Sequence, residues 1–254
     1  MSTVKTVVVL PDLQVPFHDK KSLKIVLDYV RSLKVDELII LGDFMDIDTL
    51  SSHSDGKPGQ LEGKRLAKEY RVGNQVLDEI QAAVMTNNKR CKVTLLEGNH
   101  EHRVCRYLER FPQLKGQLEA EIFLSLEERG INYVKCYCKG DVYRVGNAFF
   151  THGLYTNDHH AKKTVSNFGT NIFYGHTHDV QAYSMVQRGN DKTLVGQSMG
   201  CLCRYDLSYI QGNPSKWQQA FGIFYFLPDG FFTYFIPRIF KNRFVSPEGR
   251  VYQS

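Results

Sequence analysis

Five short fragments of this sequence end an apolar run in residues able to bind a metal ion. In chain order they are Asp12-Leu13-Gln14, Gly42-Asp43-Phe44-Met45-Asp46, Gly98-Asn99-His100-Glu101, Thr151-His152-Gly153 and Gly175-His176-Thr177-His178. Carboxylates, amides and imidazoles are the donors that divalent manganese, iron or zinc accept. His176 and His178, two residues apart, are expected to point to one side of a strand. Each fragment alone has an ordinary reading: a Gly-Asp turn at Asp43, a turn or cap at Asn99, a hydrogen-bonded core histidine at His152. Five in succession, each after an apolar strand, read together as a nest for two divalent cations.

The elements that must position these residues follow from hydrophobic spacing. Residues 6–10, 37–41 and 92–96 are short β-branched or apolar runs, read as buried strands. Asp19 is placed to cap a helix with Leu23, Val26, Leu27 and Val30 on its inner face, and Leu66, Tyr70, Leu77, Ile80 and Val84 mark a second, longer helix. Strand, crossover helix and strand favour parallel pairing. Helices are expected at 103–110, 118–129 and 158–168, and strands at 133–138, 142–145, 148–152, 171–174, 180–187, 194–198, 222–227 and 231–236. The expected fold is α/β: two mixed β-sheets packed as a sandwich and flanked by helices, one domain over residues 1–254, strand-rich from about residue 180. Carboxyl ends of strands in such sheets converge on one crevice, which is where the five fragments fall.

Composition narrows the class. The 254 residues are 42% hydrophobic and 23% charged, the balance of a globular protein with a sizeable core. The sequence offers no unbroken apolar run of the roughly 20 residues that a membrane span needs and no leader pattern at its start, so no membrane association and a cytoplasmic location are expected. Lys and Arg exceed Asp and Glu by 32 to 27, a formal charge of +5 that suits an anionic partner. Six cysteines, at 91, 105, 136, 138, 201 and 203, are expected to be reduced. The pairs 136/138 and 201/203 are read as buried strand cysteines, because zinc sites favour wider spacing. Arg238, Lys241 and Arg243 read as a solvated face rather than a nucleic-acid track, His159-His160 as an exposed loop, and the aromatics of 224–235 as sheet core.

The five fragments resemble the calcineurin-like metallophosphoesterase superfamily, whose pattern runs D-x-H, G-D-x-x-D, G-N-H-[D/E], H and G-H-x-H. The match extends from Asp12 to His178, about two-thirds of the chain. The resemblance implies a two-metal centre in which Asp12 and His178 bind one ion, Asp43 bridges both, and Asn99, His152 and His176 bind the second. Manganese is the first expectation, with iron, zinc, nickel or magnesium as alternatives. It also implies that His100 donates a proton to the leaving group, oriented by Asp46. Arg103, three residues after His100, would share its side of a helix and could grip a phosphate oxygen or form a surface ion pair. Gln14 departs from the family, which has His there. The amide oxygen can ligate, hold a ligating water or leave a position open, and His18 is a second possible donor.

Phosphoester hydrolysis by a metal-activated water is therefore the expected activity. A phosphodiesterase or nuclease type comes first: the Gly175-His176-Thr177-His178 ending resembles those branches of the superfamily and the basic balance suits a polyanion, while Ile47-Asp48 and Glu97 lack the arginines of the phosphoprotein phosphatases. Phosphomonoester hydrolysis on a small metabolite or nucleotide, and a catalytically weak metal-binding partner module, are the alternatives. The expected partner is a phosphoester substrate, with nucleic acid or a nucleotide as candidates.

Overall fold

A computed structural model describes residues 4–52, 56–135, 137, 140–187, 192–206 and 215–254. The first strand, β1 (Lys5–Leu10), buries its last four residues and leads directly to Asp12. Helix α1 (Lys20–Ser32) begins at Asp19, whose carboxylate accepts the Ser22 N–H at 2.8 Å, the N-cap bond that satisfies one of the orphan donors of a helix start. Its buried face (Leu23, Val26, Leu27, Val30) packs on one face of a sheet built from β2 (Glu37–Ile40), β3 (Lys92–Leu96) and β4 (Asn132–Val134) beside β1. The long helix α2 (Leu66–Met85) covers the same face through Tyr70, Leu77, Ile80 and Val84.

Strands β1 to β4 pair in parallel. Strands β10 (Gly222–Phe226) and β11 (Phe232–Phe235) add antiparallel at the β1 edge, giving the order β11-β10-β1-β2-β3-β4. The second sheet runs β5-β6-β7-β9-β8, from β5 (Tyr143–Val145), β6 (Ala148–Thr151), β7 (Asn171–Tyr174), β8 (Ala182–Gln187) and β9 (Lys192–Ser198). Its core pairings β6/β7 and β7/β9 are parallel and its edges antiparallel. Val7, Val9, Ile39, Leu41 and Phe224 on the first sheet's side meet Phe150 and Phe173 of the second in a buried apolar layer between the sheets. Helix α5 (His160–Phe168) closes the outer face of the second sheet through Val165, against Ile172 and Leu194. The result is the expected helix-flanked sandwich of two mixed sheets.

Several local expectations need correction. Residues 118–129 do not form one helix: only α4 (Ala120–Phe123) is helical, and Ser125 turns left-handed at φ 49°. The strand expected over 133–138 is the shorter Asn132–Val134, and Cys136 and Cys138 lie outside the described residues. Cys201 and Cys203 are buried and free, but they sit in isolated bridges beyond β9 rather than within a strand. His159 is exposed as expected, whereas His160 is buried, its Nδ1 2.6 Å from the Tyr174 hydroxyl and its Nε2 3.0 Å from Asp179. The sequence reading also missed a C-terminal hairpin, β12 (Arg243–Val245) with β13 (Val251–Gln253), whose Phe244 and Tyr252 pack against Tyr29 of α1. Arg238, Lys241 and Arg243 are exposed. Phe224, Phe226, Phe232 and Tyr234 pack in or against the layer between the sheets, while Phe231 and Phe235 are exposed. No described helix is long and apolar enough to cross a membrane.

Candidate metal centre

All five fragments leave carboxyl ends of parallel strands, from β1, β2 and β3 in one sheet and β6 and β7 in the other, so both sheets deliver them to one edge of the sandwich. The turns there are tight. Asp12, Gln14, Asp43, His176 and His178 all adopt left-handed backbone (φ 41°, 50°, 46°, 70° and 59°), a conformation that costs a side-chain-bearing residue about 1–2 kcal/mol and concentrates where function requires it. The two histidines after β7 are therefore turn residues, not neighbours along one strand face as the spacing implied.

The side chains fall into two groups that share one carboxylate. Asp12, Asp43 and His178 bring ligand atoms within 4.8 Å of one another, and so do Asp43, His152 and His176. His178 Nε2 is 3.2 Å from Asp12 Oδ1 and 3.2 Å from Gln14 Nε2, which puts the Gln14 amide on the first group. His152 Nε2 lies 3.3 Å from Asp43 Oδ2 and 2.9 Å from Asn99 Oδ1, which joins Asn99 to the second. His18 belongs to neither group; burial pushes its pKa down to about 4.

Three glycines make the room. A Cβ at Gly42 would fall 2.6 Å from His152 Nδ1, one at Gly98 on Asp43, and one at Gly175 on the Asp12 carboxylate. The His152 ring is fixed from behind, its Nδ1 3.0 Å from the Leu41 carbonyl, the outer-shell bond that commonly orients a ligating imidazole. Glu101, to which the sequence assigned no role of its own, is buried and accepts N–H bonds from Asp43 (3.0 Å), Met45 (2.7 Å) and Gly98 (2.8 Å). It ties the β2 and β3 loops together. Its signal in the sequence was only its place next to His100.

The electrostatics fit cations. Burial alone would raise the Asp43 carboxyl, yet the His100 and His152 rings hold it well below the ordinary range. Burial lowers His152 and His178, but Asp43 and Asp12 respectively overcome this and lift them to about 10 and about 9. His176, half-buried and facing His152, is pushed down to about 4. Protons thus occupy two of the imidazoles and neutralise part of the carboxylate charge, the task that divalent ions would take over in a donor set of this kind. The residues present fit a pair of divalent cations sharing Asp43.

His100 stands beside this centre. Its backbone N–H donates to Asp43 Oδ1 at 2.9 Å, its Nδ1 lies 2.9 Å from both the carbonyl oxygen and Oδ1 of Asp46, and its Nε2 is 3.7 Å from Asp43 Oδ2. Burial disfavours its charge, but Asp43 and Asp46 leave its pKa raised. Arg103, on α3 (His102–Arg110), donates from Nη1 to the Asp46 carbonyl at 2.6 Å and sets Nη2 3.2 Å from His100 Nε2. Arg103 is thus brought to His100 rather than out to a surface ion pair. Two further groups lie at the margin: Cys203 Sγ is 3.7 Å from His178 Nδ1, with Cys201 nearby, and Glu97 clusters with His102 and Cys105 of α3's first turn.

The two-sheet sandwich thus carries, at its strand ends, two candidate metal-ligand groups that share one carboxylate. A family model for calcineurin-like phosphoesterases matches residues 5–180, and the chain belongs to that family. Among curated proteins it is similar to the Gene 54 protein of Mycobacterium phage D29, at 26% identity over 86% of this chain and 88% of the relative. Among solved structures it is similar to Vps29 of Chaetomium thermophilum (10% identity, TM-score 0.44, 97% of this chain and 93% of that one). It is also similar to nuclease MPE of Pseudomonas putida (13% identity, TM-score 0.38, 86% and 82%).

Proposed function

We propose that the protein hydrolyses phosphodiesters, with Asp12, Gln14, Asp43 and His178 holding one divalent cation and Asp43, Asn99, His152 and His176 the other. The observation that carries this reading is the pair of donor groups sharing Asp43 beside the His100–Asp46 pair. Two cations held there, manganese first among them, would supply positive charge against phosphoryl oxygens and acidify an attacking water. The remaining work belongs to the chain. His100, whose charged form Asp43 and Asp46 favour against burial, would present Nε2 to the leaving oxygen. Asp46 fixes the ring through Nδ1, so that Nε2 is the nitrogen that gives up the proton. Arg103 Nη2, next to that nitrogen, is placed to hold a non-bridging phosphate oxygen as charge develops. Gln14 offers a neutral oxygen where an imidazole would bind more tightly, which makes the first cation the looser of the two.

The test is hydrolysis of an aryl phosphodiester beside the matching monoester, with Mn²⁺ and with chelator. Metal-dependent diester cleavage that disappears in Asn99→Ala is the expected result. Monoester preference moves the reading to a phosphomonoesterase. No turnover with any divalent metal, followed by turnover in Gln14→His, would replace it with a metal-binding module silenced at Gln14.

A further inference from the structure

Helix α3 is two-faced in a way that hydrolysis of a small ester does not explain. Val104 and Leu108 are buried beneath it, while Arg103, Arg106 and Arg110 recur at the three- and four-residue spacing that places side chains along one face. Arg106 and Arg110 are exposed. All three arginines line a cavity of about 700 Å³ that also takes in Asn99, Tyr107 and Tyr137, so the cavity begins at the second metal group and runs along the helix. The Tyr137 ring lies 6.0 Å from the His152 ring and 6.4 Å from the His176 ring, at the inner end of this channel. Tyr107 stands further along, its ring 4.7 Å from that of Phe111. Among the described residues one carboxylate, Glu109, borders the cavity beside the three arginines.

We infer that this channel takes single-stranded nucleic acid, with the scissile phosphate at the metal centre, the next phosphates on Arg106 and Arg110, and a base against Tyr137. The inference rests on the phosphodiesterase reading and names its substrate class. The spacing carries it. A helix rises about 1.5 Å per residue, so Arg110 sits about 10 Å along the axis from Arg103, out of reach of the single phosphate that the metals and Arg103 would hold. A strand carries a phosphate about every 3.4 Å when stacked and further apart when extended, and so meets both outer arginines. A cationic track interleaved with aromatic faces is the arrangement by which single strands are bound without sequence preference. A mononucleotide or a small monoester would leave the outer half of the channel unused.

The experiment is fluorescence anisotropy with a labelled oligodeoxythymidylate of about twelve nucleotides, in chelator so that nothing is cut, as a function of salt. The wild type is expected to bind. Arg106→Ala/Arg110→Ala is expected to weaken binding about tenfold or more and to flatten the salt slope by about 1.4, two phosphates at about 0.7 each for a single strand. Arg106→Gln/Arg110→Gln serves as a second variant with the side-chain bulk retained. Lys241→Ala/Arg243→Ala, removing charge elsewhere on the surface, is expected to keep the wild-type affinity. Unchanged affinity and slope in both α3 variants, or a wild type that does not bind the strand, overturns the inference. The aryl phosphodiester assay separates the failures. Turnover of that ester without strand binding removes the nucleic acid and leaves the phosphodiesterase. Strand binding that depends on Arg106 and Arg110 without turnover supports the channel and removes the hydrolase.

Discussion

Replacing Gly98 with Ala drives a methyl group into the carboxylate that both metal groups share. The added Cβ would fall on the backbone N and Oδ1 of Asp43, and 2.9 Å from its Cγ. Asp43 has nowhere to retreat. Its N–H is held by Glu101 at 3.0 Å, its Oδ1 by the His100 N–H at 2.9 Å, and its carbonyl by the Gln14 N–H at 2.8 Å. Relief must therefore break at least one of these bonds. Overpacking costs about 1–3 kcal/mol, and a buried hydrogen bond to a charged group about 1.5–3 kcal/mol more, so a loss of about 3–5 kcal/mol is expected. For a chain of this size that is a fall in Tm on the order of 10 °C, with the fold retained. Mn²⁺ affinity should fall further, by about a hundredfold, because the displaced group serves both ions. Melting and calorimetric Mn²⁺ titration would read the two effects. Gly59→Ala is the control: nothing lies within 4 Å of its added Cβ, and its melting should stay within about 0.5 kcal/mol of wild type. A Gly98→Ala protein that melts and binds Mn²⁺ like wild type would refute the placement of Asp43.

Glu101→Ala strands three buried N–H groups and should cost about 4 kcal/mol in chemical denaturation; a change below about 1 kcal/mol would mean that the brace is not built as described. Glu69 is raised from 4.5 to about 7 by burial and by the nearby carboxylates of Asp46 and Asp48. The stability from its tighter native-state proton is complete below pH 4.5 and is lost as pH climbs through about 7. At about 1.4 kcal/mol per pH unit, discounted for solvent at its edge, the loss is about 2 kcal/mol. Denaturation at several pH values should show that slope in wild type and a flatter profile in Glu69→Gln. Metal binding should expel protons, because His152 and His178, at about 10 and about 9, are charged in the metal-free protein at neutral pH and must be neutral to ligate. Mn²⁺ affinity should therefore rise with pH up to about 10, and calorimetric heats should vary with the buffer's ionisation enthalpy. Buffer-independent heats would contradict the assignment.

The periodic parts of the chain were the legible ones. The Asp19 cap, the inner faces of α1 and α2 and the β-branched runs of β1 to β3 announce themselves because local pattern and burial agree. The residues brought together at the strand ends were likewise named from their types and order. What failed was short and tertiary. Residues 118–129 carry a helical pattern that the left-handed turn at Ser125 interrupts. His160 looked like a loop histidine because its partners, Tyr174 and Asp179, are remote in sequence. Glu101 was passed over because its bonds are to backbone amides on another loop, which no side-chain motif records. The His176–His178 pair was found for an incomplete reason: the residues serve adjacent donor groups through a left-handed turn rather than by sharing a strand face.

Anomalous X-ray diffraction from crystals grown with Mn²⁺ addresses the shared-carboxylate centre directly. Two peaks are expected on either side of Asp43, roughly 3.5–4 Å apart. One should lie within reach of Asp12, Gln14 and His178, the other within reach of Asn99, His152 and His176. A single peak, or none at saturating Mn²⁺, would contradict the account, as would a pair of peaks away from Asp43.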